Sequence, residues 1–141
     1  MLYFSMIKVK SWYVLILTFV FLLTFSSNLS FAENKKSVIL YFFWGEGCPY
    51  CAKEKIFLTT LKKKYPRLEI KDYEVIHNQA PRELLMTMSR SYGISPTGVP
   101  VTFIGDKSFV GFNEEIASKI ELILKSCLKK TCEDPLFYKK Y

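Results

Sequence analysis

The stretch Val38-Ile39-Leu40-Tyr41-Phe42-Phe43-Trp44 runs through Gly45-Glu46-Gly47 into Cys48-Pro49-Tyr50-Cys51. Its first seven residues are β-branched, aliphatic or aromatic, which is typical of a strand buried on both faces of a sheet. The two glycines break that strand. After the cysteines, an amphipathic pattern predicts a helix with an apolar side of Ile56, Leu58 and Leu61 and a polar surface of Lys53, Glu54, Lys55 and Lys62 to Lys64. The sequence therefore places two cysteines where a buried strand passes into a helix.

This position indicates a redox pair. Cys48 is expected at the N-cap and Pro49 in the first turn, where a missing N–H loses no hydrogen bond. The free N–H groups of Tyr50 and Cys51 can then point at the Cys48 sulfur, and with the helix dipole they favour its thiolate. Cys48 is predicted to be the attacking sulfur. Cys51, one turn further in, is predicted to be the more buried sulfur that resolves a mixed disulfide.

The rest of the chain predicts alternating strands and helices. A second strand is expected from Leu68 to Val75 and a second helix from Arg82 to Tyr92, after a turn that contains Pro81. Gly105-Asp106-Lys107 indicates a hairpin between Val101–Ile104 and Ser108–Val110. A last helix is expected from Asn113 to about Lys125, with Ile116, Ile120, Leu122 and Ile123 facing the core. The predicted order is βαβαββα, an α/β fold.

The first 32 residues differ from the remainder. Lys8 and Lys10 precede a stretch from Ser11 to Ala32 without a charged residue, and Ser30-Phe31-Ala32 offers a small-x-small cleavage pattern. Residues 1–32 are predicted to be a signal peptide, with an uncleaved N-terminal anchor as the alternative. Either way the domain is expected to be exported, to the periplasm or another extracytoplasmic site. Residues 33–36 are expected to be a short linker, 37–126 the folded domain and 127–141 a polar tail.

Charge argues against a nucleic-acid partner. The chain carries a formal +7, and without Lys8 and Lys10 it carries +5. Its lysines are spread over the first helix and the C-terminal tail, and they are not gathered in a groove interleaved with aromatics. A solvated helix surface is the simpler interpretation. His77, the single histidine, is expected in a turn at the surface and not as a ligand or base.

Residues 37 to 125 resemble the thioredoxin superfamily, because a strand, a Cys-x-x-Cys helix and a later Gly98-Val99-Pro100 precede a β-hairpin. The resemblance implies a central mixed β-sheet flanked by helices and a thiol-disulfide oxidoreductase that needs no cofactor. It also implies that Pro100 is a cis proline beside the active-site disulfide. A cis proline leaves the backbone of Val99 free to pair with an extended substrate. Protein thiols and disulfides are the implied clients, and a membrane thiol transporter or a quinone-linked oxidase is the implied partner.

Two departures from this resemblance bear on mechanism. Thioredoxins carry a buried acid six residues before the first motif cysteine, where this chain has Phe42. Glu46 is a possible substitute as the base for Cys51, although an exposed loop residue is an alternative interpretation. The Pro49-Tyr50 pair is similar to that of glutaredoxins, but Gly98 and Gly111-Phe112 do not match their glutathione-binding residues. We therefore expect protein disulfides as substrates, more than glutathione mixed disulfides.

A second pair, Cys127 and Cys132, follows the last predicted helix. In an oxidising compartment local pairing within 48–51 and 127–132 is natural, provided that the last helix ends near Cys127. A structural disulfide on the tail is the first interpretation, and a second redox relay or free thiols are alternatives. Two other functions stay open: four cysteines could hold a zinc ion, or the domain could bind clients without chemistry. The motif favours a redox pair and no metal.

Overall fold

The computed structural model describes residues 36–140, together with residues 13, 14, 16 and 19 of the N-terminal segment. The elements of the domain follow the predicted order. They are β1 (Val38–Trp44), α1 (Pro49–Lys64), β2 (Leu68–Glu74), α2 (Gln79–Tyr92), β3 (Val101–Ile104), β4 (Lys107–Val110) and α3 (Glu114–Lys129), followed by a short 3-10 turn at Pro135–Phe137. The sequence-based prediction βαβαββα is confirmed.

The sheet is mixed and has the strand order β2-β1-β3-β4. β1 pairs with β2 in parallel and with β3 antiparallel, so both of its edges are hydrogen-bonded. Side chains alternate across its plane: Leu40 and Phe42 belong to one hydrophobic cluster, and Tyr41 and Phe43 belong to another. All four are at most 1% exposed. The prediction of a strand buried on both faces is therefore confirmed, because packed side chains cover each face of β1.

Helices α1 and α3 pack on one face of the sheet and α2 packs on the other. Leu58 and Leu61 of α1 join Ile120 and Leu124 of α3 in the cluster that contains Phe42. On the opposite face, the cluster that contains Phe43 takes its helical members from α2: Leu85, Met88 and Tyr92. The polar side of α1 is tied to α3 by Glu121, which accepts hydrogen bonds from Lys64 Nζ and the Tyr65 hydroxyl, both at 2.8 Å.

The buried side of α1 differs from the predicted one. It consists of Cys51, Glu54, Leu58 and Leu61, whereas Ile56 is 71% exposed. At about 100° per residue, Ile56 lies across the helix from Glu54 and Leu58, so it cannot share their face. The prediction for Ile56 is therefore wrong, and so is the assignment of Glu54 to the polar surface. The same geometry leaves Leu122 of α3 65% exposed, while Ala117, Ile120, Leu124 and Cys127 are buried.

Two helix boundaries also differ from expectation. α2 begins at Gln79, with Asn78 as its N-cap, and includes Pro81 in its first turn. Proline is tolerated there because the first N–H groups of a helix have no intrahelical partner. α3 runs to Lys129, past the expected end near Lys125, because Cys127 is a buried part of its core-facing side.

Residues 130–140 fold back onto the domain. Cys127 in the last turn of α3 is bonded to Cys132, with a Cα–Cα distance of 5.0 Å. The chain then continues through the 3-10 turn, and the Tyr138 ring packs against Tyr92 with centroids 4.4 Å apart. The Lys140 N–H donates to the Ser91 carbonyl at 3.0 Å. The C-terminal segment, although polar in sequence, is thus an ordered part of this unit.

The predicted signal peptide or anchor lies almost entirely outside the described residues. Among the residues that the structure describes, no helix has the length and apolar character needed to cross a membrane.

Candidate active site

The connection from β1 to α1 brings Cys48 to the helix N-terminus. Gly47 has a φ of 74°, in the left-handed region that favours glycine. The Cys48 N–H donates to the Gly45 carbonyl at 3.3 Å and closes this turn. Cys48 itself is the N-cap, with extended backbone, and Pro49 is the first helical residue. The sequence folds this way because the two glycines allow a sharp turn and the proline presets the first helical φ.

Cys48 and Cys51 are bonded to each other, with a Cα–Cα distance of 5.2 Å. The Cys51 N–H also donates to the Cys48 sulfur at 3.1 Å, so this sulfur fills the place of a capping oxygen. The two sulfurs are in different surroundings. Cys51 is 3% exposed, whereas Cys48 is only partly buried. A reagent from solvent therefore reaches Cys48 first.

The loop before β3 lies against this disulfide. The peptide bond between Val99 and Pro100 is cis, and the Val99 carbonyl oxygen is 3.6 Å from Cys48 Sγ. The Pro100 carbonyl accepts a hydrogen bond from the Gly111 N–H at 2.8 Å, which fixes the loop to the end of the hairpin. Cys48 and the Val99–Pro100 loop, 51 residues apart in sequence, thus meet at one edge of the domain.

An apolar surface surrounds Cys48. Gly45 leaves no room for a side chain, because a Cβ there would be 2.6 Å from Ile76 Cγ1 and 3.3 Å from Val99 Cγ2. Ile76 therefore lies over Gly45 beside Val99, and it remains 49% exposed. Tyr50, in the first turn of α1, is 56% exposed. Tyr50 and Ile76 thus expose apolar side-chain area at the end of the domain that carries Cys48.

Glu46 is a surface residue. Its carboxylate lies 3.4 Å from His77 Nε2, and the two side chains are 76% and 65% exposed. The turn that holds His77 is organised by Glu74, whose carboxylate accepts hydrogen bonds from the Ile76 and His77 N–H groups at 2.7 and 2.9 Å. The structure brings Glu46 to the same end of the domain as Cys48, on the side of β2.

Glu54 is a buried acid that the sequence analysis placed on the wrong face of α1. Its side chain is 0% exposed, and its Oε1 accepts a hydrogen bond from the Thr102 hydroxyl at 2.5 Å. Its Oε2 has no partner. Burial raises the pKa of the Glu54 carboxyl to about 7, and the Thr102 hydroxyl offsets only part of this shift. The spacing Cys51, Glu54, Leu58, Leu61 is the signal that could have found it, since it follows one helical stripe.

The second disulfide lies at the other end of β3. A Cβ at Gly105, directly after β3, would be 3.2 Å from Cys127 Sγ and 3.5 Å from Cys132 Sγ. Val99, next to Cys48, stands six residues earlier, which is about 20 Å along an extended chain. The four sulfurs therefore cannot share one zinc ion in this fold, because zinc–sulfur bonds are about 2.3 Å long. Among the described residues, no group of three or more potential ligands is clustered for a metal ion.

Comparison with known proteins identifies the fold. A protein from Chlorobium tepidum that carries the name thiol:disulfide interchange protein DsbE matches with a TM-score of 0.51 and 15% identity, over 67% of this chain and 82% of its own. Proteus mirabilis ScsC matches with a TM-score of 0.49 and 18% identity, over 70% and 71%. A periplasmic thioredoxin-like protein from Salmonella enterica serovar Typhimurium matches with a TM-score of 0.48 and 14% identity, over 69% and 87%.

Of these three structures, the Chlorobium protein carries the assignment of the fold, which is thioredoxin-like. At these identities the likeness extends to the arrangement of the chain and not to its substrates. No protein-family model and no curated protein matches the sequence.

Proposed function

We propose that this protein is an exported thiol-disulfide oxidoreductase that exchanges disulfides with protein clients through Cys48 and Cys51. One observation carries the proposal: a partly exposed cysteine caps a helix, is bonded to a buried cysteine one turn later, and lies 3.6 Å from the Val99 carbonyl oxygen of the loop before β3. A purely structural disulfide needs neither the unequal exposure nor the cap. An exchange reaction needs both, because one sulfur must meet the client and the other must stay behind it.

In the reduced protein Cys48 is the nucleophile. The Cys51 N–H that donates to its sulfur at 3.1 Å, together with the positive end of the α1 dipole, stabilises a thiolate there. The thiolate attacks one sulfur of a client disulfide, forms a mixed disulfide and releases the other client sulfur as a thiolate. Cys51 then attacks Cys48, which restores the internal disulfide and releases the reduced client. Run backwards, the same steps oxidise a client dithiol.

The Val99–Pro100 loop holds the client during this exchange. Its carbonyl oxygen at Val99 lies 3.6 Å from the Cys48 sulfur, so an extended client chain that pairs with this backbone brings its own sulfur to Cys48. Ile76 and Tyr50 supply exposed apolar contact area beside it. These features suit a polypeptide better than glutathione, which would need polar groups for its terminal carboxylates.

Export is proposed from the sequence of residues 1–32, since an uncharged apolar segment after Lys8 and Lys10 is typical of a signal peptide or an N-terminal anchor. The chemistry agrees with an oxidising compartment, because a second disulfide between Cys127 and Cys132 joins α3 to the C-terminal segment. We propose a structural role for this disulfide.

Two single substitutions test the mechanism. Cys48→Ser should abolish reduction of a protein disulfide such as that of insulin, because the attacking sulfur is lost. Cys51→Ser should accumulate mixed disulfides with clients, because the resolving sulfur is lost, and these would appear on non-reducing gels. Retained turnover in Cys48→Ser would refute the mechanism.

The direction of exchange is tested by the reduction potential of the Cys48/Cys51 pair, titrated in thiol buffers with Cys127 and Cys132 changed to serine. A value below about −220 mV favours a reductase supplied by a membrane thiol transporter. A value above about −150 mV favours an oxidase supplied by a quinone-linked partner. A pair that does not titrate and that retains zinc would support a structural site in place of an enzyme.

A further inference from the structure

Glu54 has no structural role that accounts for its burial. Of the Asp, Glu, Lys and Arg residues in the described part of the chain, it alone is buried. An apolar side chain at this position would complete the stripe formed by Leu58 and Leu61. A buried carboxyl that keeps one oxygen without a partner destabilises the fold, so its presence calls for another explanation.

Cys51 is a neighbour of Glu54 on the buried side of α1. The two residues are three positions apart on α1 and both are buried on its sheet-facing side, which places their Cβ atoms about 5–6 Å apart. The Thr102 hydroxyl occupies one carboxyl oxygen and leaves the other available. Burial raises the pKa of Glu54, the hydrogen bond from the Thr102 hydroxyl lowers it by less, and no charged side chain contributes. Within the stripe, Cys51 is the other group that titrates once the disulfide is reduced.

Thr102 holds the Glu54 carboxyl between α1 and the sheet. It lies on β3, where it is paired with Phe42 of β1, and its hydroxyl donates to Glu54 Oε1. Thr102 is 1% exposed and Glu54 is 0% exposed, so this contact is closed to solvent. The carboxyl therefore lies on the same buried side of α1 as Cys51.

We propose that Glu54 is the internal proton acceptor for Cys51, a role that rests on the proposed exchange reaction. With the mixed disulfide formed at Cys48, the Glu54 carboxylate takes the proton of the Cys51 thiol. The resulting thiolate attacks Cys48 Sγ, the Cys48–Cys51 bond forms, and the bond from Cys48 to the client breaks. The electron pair leaves with the client sulfur, which takes a proton from water. The protein dithiol is oxidised and the client disulfide is reduced, so the step needs no further reagent.

The experiment resolves the reaction of Cys48 and the later reaction of Cys51 as two kinetic phases. Reduced protein is mixed in a stopped-flow instrument with 5,5′-dithiobis(2-nitrobenzoate), and release of thionitrobenzoate is followed by absorbance. The first release reports the attack of Cys48, and the second reports the attack of Cys51 on the mixed disulfide. Glu54→Gln should leave the first rate unchanged and slow the second by roughly tenfold or more near pH 7.

A pH profile distinguishes proton transfer from a merely structural effect. In the native protein the second rate should rise with pH through an inflection near 7, where Glu54 becomes able to accept a proton. In Glu54→Gln this inflection should disappear and the rate should follow the thiol alone, whereas Glu54→Asp should restore part of it. The matched control is Glu115→Gln, which removes an exposed acid from α3.

An unchanged second phase in Glu54→Gln at every pH would overturn the role of Glu54 and leave the proposed function standing. Slowing of the second phase in Glu46→Gln, without slowing in Glu54→Gln, would also overturn it. Failure of the native protein to show either phase would refute the proposed function itself. Thermal melts of the three glutamine variants establish that each one is folded.

Discussion

Burial of the Glu54 side chain connects the stability of this domain to pH. The acid is fully buried, accepts one hydrogen bond from Thr102 and has no cationic partner. Its pKa is raised from 4.5 to about 7 by burial, so the folded state favours the protonated form. The favourable contribution of that neutral acid is fully present below pH 4.5 and is lost as the pH rises through about 7.

We therefore expect Glu54→Gln to be more stable than the native protein at pH 8, because the amide never ionises. The difference in free energy of unfolding between the two should grow by about 3 kcal/mol from pH 4 to pH 8. Urea denaturation of the oxidised proteins at several pH values measures it. Glu115→Gln, which changes an exposed acid, serves as the control. A difference that stays constant with pH would show that Glu54 has the same pKa in the folded and unfolded states, and it would contradict this prediction.

At the scale of elements, the last turn of α3 carries the disulfide between Cys127 and Cys132. Cys127 is 4% exposed and belongs to the same hydrophobic cluster as Leu124 and Ile104. Cys132 reaches back to it over the Gly105 backbone, where a Cβ would be in tight contact with Cys127 Sγ at 3.2 Å and in ordinary contact with Cys132 Sγ at 3.5 Å. The disulfide therefore connects α3 to the C-terminal segment and packs against the hairpin turn at Gly105.

Replacing both Cys127 and Cys132 with serine should lower the free energy of unfolding by about 2 kcal/mol, from the loss of a short closed loop. Turnover of a protein disulfide at a temperature well below the melting point should stay at the native level, because Cys48 lies at the opposite end of β3. Chemical denaturation and an insulin reduction assay measure the two effects. Reduced turnover with unchanged stability would indicate a redox relay and contradict the structural role.

The elements also show what the sequence can predict here. The uniform apolar run of β1, the Cys-x-x-Cys turn and the Gly105 hairpin signal define the order of strands and helices, because each depends on local geometry. The face of a helix is harder to predict when polar residues interrupt it. The apolar character of Ile56 and Leu122 favours the core, yet their angular position on the helix excludes them from it. The converse holds for Glu54, because a charged residue type indicates exposure while its angular position buries it.

At the scale of the whole molecule, the sheet separates two different ends. At one end the β1–α1 turn and the loop before β3 surround the Cys48 sulfur. At the other end the second disulfide, the hairpin turn and the C-terminal segment pack together. The Tyr92 hydroxyl donates to the Gly105 carbonyl at 2.5 Å, and the Tyr138 ring covers Tyr92. The C-terminal segment thus contributes to closing the end of the sheet opposite Cys48.

Substitution of Tyr138 tests this closure. Tyr138→Ala should destabilise the domain by about 1–2 kcal/mol, because it removes an aromatic contact and exposes Tyr92. Phe137→Ala is the matched control, since the neighbouring Phe137 ring is 66% exposed and should contribute little. Melting temperatures of the oxidised variants provide the comparison. A melting temperature of Tyr138→Ala no lower than that of Phe137→Ala, with both close to the native value, would mean that the C-terminal segment does not support the fold.

β3 is a short strand with a disulfide beyond each of its ends, and this arrangement has an evolutionary consequence. On the proposed function, substitutions around Val99 and Ile76 would alter client choice or redox potential, while the disulfide packed at Gly105 lies beyond the other end of β3. New partners would then be acquired without a change in the packing at that end, because the four buried residues Val101–Ile104 lie between the two ends.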